Sequence, residues 1–308
     1  MDELIQLDEN HSSAPETYMI AGWHQWADAG NISSGLPQYL IRKTGAKKVA
    51  EIASDSFYLF QLPGTHHFLR PQIKLQEGYR EALSANENQF FYTETGGKGL
   101  VIFCGEEPHI NAERYSSAFL DVVEALGVKR VGAVGGVYGA MPYDKDREVS
   151  CVYSLREMKK DLAEYAVRFS NYEGGTTIGT YLIDQAEKRS AEFFVFYGFV
   201  PAYDFGQLSE VLLGIRVEND FKAWYDLLKR FNHMFDLQLD LTDLERLSEE
   251  VISSMKDKLQ ELDTQMPELQ IQEYLSDLDQ EFIERPFTPL DDVWKKGLED
   301  IFKDLDDW

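Results

Sequence analysis

The stretch from Gly99 to Gly136 constrains this chain more than any other. Gly99-Leu100-Val101-Ile102-Phe103-Cys104-Gly105 is an uninterrupted apolar run bounded by glycine, the pattern of a strand buried on both faces. Residues 111–126 then space their apolar side chains as an amphipathic helix stopped by Gly127, and Val128 to Gly136 reads as a second strand. Strand, helix and strand in direct succession form a βαβ unit, whose strands lie parallel and whose crossover is right-handed. The expected fold class is therefore α/β, with a mostly parallel central sheet flanked by helices.

The flanking sequence extends that sheet. Thr17 to Trp23 is a short buried strand, followed by helical spacing from Ala27 to Ala46 with Gly45 as its stop and a kink or break expected near Pro37. Val49 to Ile52 is the next strand, and residues 54–95 alternate aromatic and polar positions as strands joined by irregular loops. Thr176 to Arg189 reads as a helix and Phe193 to Val200 as another central strand, after which the sheet is expected to end.

From residue 207 the pattern is helical, over 207–214, 218–234, 241–263, 268–283 and 289–306. This divides the chain into an α/β core domain, 1–206, and a helical C-terminal extension, 207–308. Leu241, Leu244, Leu247, Val251, Met255, Leu259 and Leu262 recur at spacings of three and four, which makes one continuous helix face. Packing on its own domain is the simpler reading of that face, and a seam shared with another subunit is the functional one.

Charge limits the partners. The 308 residues carry a formal net charge of -24, and the part from 236 onward holds 22 acidic against 7 basic side chains. Such a surface repels phosphate backbones and anionic lipid, so neither nucleic acid nor membrane is an expected partner. The two cysteines, Cys104 and Cys151, lack the spacing of a zinc or redox motif and read as buried thiols. The first residues show no basic and apolar leader, and no apolar run reaches the length of a membrane span. A cytoplasmic location is expected.

Four glycine-rich segments lie where strands give way to helices, the edge at which α/β folds place ligands. Gly22-Trp23-His24-Gln25-Trp26-Ala27-Asp28-Ala29-Gly30 offers Asp28 as a helix cap and exposed amides for an anion, with the two tryptophans alternatively covering the sheet edge. Gly105-Glu106-Glu107-Pro108-His109 sets carboxylates beside an imidazole, suited to acid–base work or to a loop that starts a helix. Gly135-Gly136 forms a turn whose amides can cradle phosphate or carboxylate. Gly174-Gly175-Thr176-Thr177 puts a hydroxyl cap at a helix start. The candidate ligand-binding residues are Trp23, Asp28, Gly30, Glu107, His109, Gly135, Gly136 and Thr176. His66 and His67 read as solvent-exposed loop histidines. No P-loop lysine, no GxGxxG spacing and no G-x-S-x-G elbow occurs, so no catalytic residue, metal ligand or cofactor is assigned.

Taken together, Gly22-Trp23 with Asp28-Ala29-Gly30, Gly105-x-Glu107-Pro108, the Gly135-Gly136 turn, Tyr172-x-Gly174-x-Thr176 and Phe199-Val200-Pro201-x-Tyr203 resemble the proteasome assembly chaperone superfamily in order and spacing. The resemblance implies a phosphorylase/hydrolase-like α/β core with a helical C-terminal extension, and a homo-oligomer, with a trimer as the candidate state, that binds other protein chains. Some chaperones of this group end in a hydrophobic-Tyr-X tail, from which Asp306-Asp307-Trp308 departs. Two functions remain in view. One is a homo-oligomeric binding or assembly-chaperone-like protein without catalysis. The other is an enzyme acting on an anionic small molecule at the sheet edge, phosphorylase-like or like an ATP-dependent carboxylate-amine ligase.

Overall fold

The computed structural model describes residues 3–8, 14–54, 56–60, 71–84, 86–205 and 214–288. In chain order the strands are β1 (Ile5–Leu7), β2 (Thr17–His24), β3 (Lys47–Ile52), β4 (Gln72–Gln76), β5 (Tyr79–Ser84), β6 (Gln89–Thr95), β7 (Lys98–Glu106), β8 (Val128–Gly139), β9 (Val149–Tyr153), β10 (Arg168–Phe169), β11 (Glu192–Asp204) and β12 (Gly214–Arg216). The helices are α1 (Ile32–Thr44), α2 (Ala112–Ala125), α3 (Met158–Leu162), α4 (Ile178–Lys188), α5 (Phe221–Met234), α6 (Thr242–Gln265) and α7 (Ile271–Glu281). The expected helices over 207–214 and 289–306, and His66 and His67, lie outside the described residues, save Gly214, which opens β12.

Ten strands form one sheet in the order β1-β3-β6-β7-β2-β8-β11-β9-β10, with β12 on the far half of β11. The predicted βαβ unit holds. Strands β7, β2, β8 and β11 run parallel at the centre. The sheet as a whole is mixed, however, and not mostly parallel. β6 reaches β7 through the tight Gly96-Gly97 turn, which leaves room only for an antiparallel hairpin, and β3 and β1 continue that sense outward. On the other side β9 pairs antiparallel with β11. The sheet also does not end near residue 200, because β12 folds back on β11.

Both faces of the sheet are covered. Met19, Ala21, Trp23, Val101, Phe103, Ala133 and Val195 pack under α2 and α4, and Ile20, Leu100, Ile102, Val134, Phe194 and Phe196 pack under α1 and α5. Double coverage explains why the central strands read as continuous apolar runs with no alternation. Helix α6 lies on α5, with Leu244, Met255 and Leu259 buried in the same core and Val251 and Leu262 against it. The heptad-like face therefore packs on its own chain. No helix among the described residues is long and apolar enough to cross a membrane.

Helix α1 runs through Pro37 without a break, and the non-helical residue is Gly30 just before it, at φ 63°. Proline has no N–H to donate to the Ser33 carbonyl in the usual helical bond, and that carbonyl lies against β2. A Cβ on Gly22 would stand 2.1 Å from Ser33 O and 2.7 Å from Pro37 Cγ, so only glycine lets helix and strand meet this closely.

Candidate functional site

The parallel strands β2, β7 and β8 bring their carboxyl ends to one edge, and the loop from Gln25 to Asn31 crosses it. Gly136 N–H donates to Ala27 O at 2.8 Å, and Asp28 pairs with Gly136 as a one-residue parallel bridge. A Cβ on Gly136 would fall 2.0 Å from Ala29 O. Gly135 and Gly136 lie within β8 and not in the expected turn, and the space beside Gly136 is filled by the chain itself. Gly135 packs beside the Tyr197 ring, and Gly30 O accepts both the Asp220 N–H and the Trp224 Nε1–H at 3.0 Å, which ties the loop to the start of α5.

The two candidate acids serve the same loops. Asp28 Oδ1 accepts the Ser33 and Ser34 N–H groups at 2.7 and 3.0 Å, and Oδ2 accepts the Ser34 hydroxyl. It satisfies the open first turn of α1, as a capping carboxylate does. Burial lifts its pKa above the ordinary value, against the opposing pull of those hydrogen bonds. Glu107 Oε1 accepts the Ile178 N–H at 2.7 Å and Oε2 accepts the Trp26 N–H at 3.3 Å. The amino end of α4, where an anionic ligand would be welcome, holds an internal carboxylate instead.

The remaining candidates disperse. Trp23 is fully buried, its indole donating to the Tyr115 hydroxyl at 2.9 Å and lying against Phe103 and Phe119. It is a core residue. His109 turns the other way, its Nδ1 accepting the Leu59 N–H at 3.1 Å and its ring edge-on to Tyr58. Thr176 is exposed, and Thr177 is the residue that caps α4 by accepting the Thr180 N–H. Asp28, Gly30, Glu107, Gly135 and Gly136 are the members that the fold gathers at the edge.

Sequence reading missed the pair beside them. His24 Nδ1 lies 3.1 Å from Glu106 Oε2, because the parallel register sets His24 opposite Glu106. The hydrogen bond to Glu106 raises the histidine pKa, with desolvation opposing. Aligning the ends of the two predicted strands would have found this contact. The pair borders a groove of about 360 Å³ beside α1, also lined by Gln38, Arg42, Gln89 and Cys104. Burial pushes the Cys104 thiol up to about 12, with Arg42 opposing, so it is a protonated and weakly nucleophilic group. Among the described residues no three His, Cys, Asp or Glu side chains cluster as metal ligands.

Apolar side chains stand exposed where this edge meets solvent, namely Trp26 at 73%, Tyr138 at 44% and Ile110 at 40%. Tyr138 stacks under the Arg216 guanidinium of β12.

Comparison with known proteins places this geometry. The model of the PAC2 family matches residues 22–259. The fold is shared with a proteasome-assembly chaperone homologue of Mycobacterium tuberculosis, at 21% identity and TM-score 0.67 over 78% of this chain and 94% of that one. It is shared with a PAC2 family protein from Streptomyces avermitilis, at 22% identity and TM-score 0.67 over 79% and 95%. The archaeal proteasome activator PbaB of Pyrococcus furiosus aligns at 17% identity and TM-score 0.56 over 82% and 97%. A search of curated proteins finds no match.

Proposed function

The chain belongs to the PAC2 family, and from that premise we propose that it is a homo-oligomeric, assembly-chaperone-like protein that binds other protein chains and performs no chemistry of its own. One observation carries the reading. The sheet edge at which an α/β enzyme would hold substrate is occupied by the protein's own groups, with Asp28 engaged by α1, Glu107 by α4 and Trp26, and Gly136 by Ala27. Among what that edge offers to solvent are Trp26, Ile110 and Tyr138, and exposed Trp and Tyr are enriched among the anchors of protein recognition. Structural relatives described as a proteasome-assembly chaperone homologue and as a proteasome activator support a partner drawn from a multi-subunit assembly. The free thiols Cys104 and Cys151 fit a reducing cytoplasm.

Affinity purification of the tagged full chain from its own host, followed by reconstitution from purified proteins, tests this. The expected result is a stoichiometric complex that Trp26→Ala weakens at least about tenfold. A chain that recovers no partner and stays monomeric in physiological salt overturns the reading.

The alternative, an enzyme acting on an anionic small molecule in phosphorylase-like or carboxylate-amine-ligase-like fashion, draws on the groove where the His24–Glu106 pair and Arg42 meet. Calorimetric titration with inorganic phosphate and with ATP separates the two. Saturable binding abolished by Arg42→Ala would establish the second reading.

A further inference from the structure

The hairpin of β4 and β5 stands outside the fold described above. Its strands pair only with each other among the described residues, and every residue from Gln72 to Leu83 is exposed. Ile73, Leu75 and Leu83 each remain more than half exposed, and Tyr79 is 76% exposed. The register sets Ile73 opposite Leu83, and Leu75 falls on the face of Ile73 two residues along, where a register shift after Lys74 sets Arg80 opposite it. Ile73, Leu75 and Leu83 therefore gather as an uncovered apolar cluster beside Arg80.

A lone two-stranded hairpin is marginal in water, and an uncovered apolar strand pair with open edges invites pairing with another chain. Charge identifies the occupant. The hairpin carries Lys74 and Arg80 against Glu77 and Glu81, with Lys74 and Glu81 paired at 2.8 Å, so it is neutral on a chain whose net charge is -24. Two copies of so acidic a chain repel each other overall, and this neutral strip is a place where they can meet. A basic partner would instead be drawn to the acidic C-terminal helices.

We propose that the β4–β5 hairpin is the arm through which one copy of this chain docks on a second copy. The inference rests on the homo-oligomeric reading and names its interface. Sedimentation velocity of the full chain in physiological salt tests it, comparing the native sequence with the triple variant Ile73→Thr, Leu75→Thr and Leu83→Thr. Threonine keeps strand propensity while removing the apolar cluster, and all three positions are exposed, so the variant should retain the native circular dichroism. An oligomeric native chain and a monomeric triple variant are expected, with hydrogen-exchange protection of residues 72–84 in the native chain that is lost in the variant. A variant that sediments like the native oligomer overturns the hairpin interface while leaving the oligomeric reading intact. A monomeric native chain overturns both.

Discussion

His24 and Gly136 show how single residues set this edge. The contact with Glu106 raises the His24 pKa above its unfolded value, so the stability it contributes is fully present below about pH 6.5 and is lost as pH rises through the folded pKa. The side chain is 70% exposed, and solvent screening keeps that contribution small. Nuclear magnetic resonance titration of the imidazole should give a midpoint above 6.5, and Glu106→Gln should lower it. At Gly136 a methyl group would meet a backbone oxygen that cannot swing aside. Gly136→Ala should cost about 1–3 kcal/mol in chemical denaturation. Sequence made the role of Gly136 partly legible, since paired glycines in an apolar run announce close approach of something, although they lie within β8 and form no turn. It did not show that the approaching group is the Ala27–Ala29 backbone, which comes from a segment more than a hundred residues away. Trp23 reads from sequence as a candidate ligand-binding residue or as a cover for the sheet edge, and the structure buries it in the core. Its neighbours Met19 and Ala21 share its face, but a strand buried on both sides has no polar alternation to reveal this.

Helix α6 carries the clearest element-scale lesson. Its apolar face admitted two readings, and burial of Leu244, Met255 and Leu259 within the monomer decides between them. Leu259→Ala should therefore cost about 2–5 kcal/mol in chemical denaturation, a loss that is the same at every protein concentration. A cost that appears only at concentrations where subunits associate would return this face to an intersubunit role. The helix is also tied to α1, where Tyr39 donates to Asp243 at 2.9 Å and Lys43 pairs with the same carboxylate, which puts an anion in the first turn of α6 and a cation in the last turn of α1, each favoured by its own helix dipole. Elements with strong local signals, β7, α2, β8, α4 and β11, were legible to within a few residues. Strand β9 was not, because Val149–Tyr153 is short and follows a long irregular segment, and its antiparallel pairing with β11 depends on contacts that no local window contains. The direction of β6 was equally hidden until the Gly96-Gly97 turn was seen to join it to β7.

At the scale of the molecule, an acidic α/β body has its potential substrate edge filled from within, a rim bearing Trp26, Ile110 and Tyr138, and a neutral hairpin exposed on a chain of high net negative charge. The buried ion pair of Arg147 with Asp220, 2.9 Å apart and fully shielded, locks the loop before β9 to the amino end of α5. Breaking one partner of such a pair is strongly destabilising because the other is left charged and unmatched, so the body should behave as a rigid platform. Function on this account lies in what two surfaces hold together, and association is the property that separates it from an enzyme. Native mass spectrometry of the purified full chain from mild buffer reads this most directly. A symmetric oligomer of bare chains is the result the account requires. A monomer carrying a stoichiometric small-molecule adduct would contradict it and return the His24–Glu106 groove to the centre of the problem.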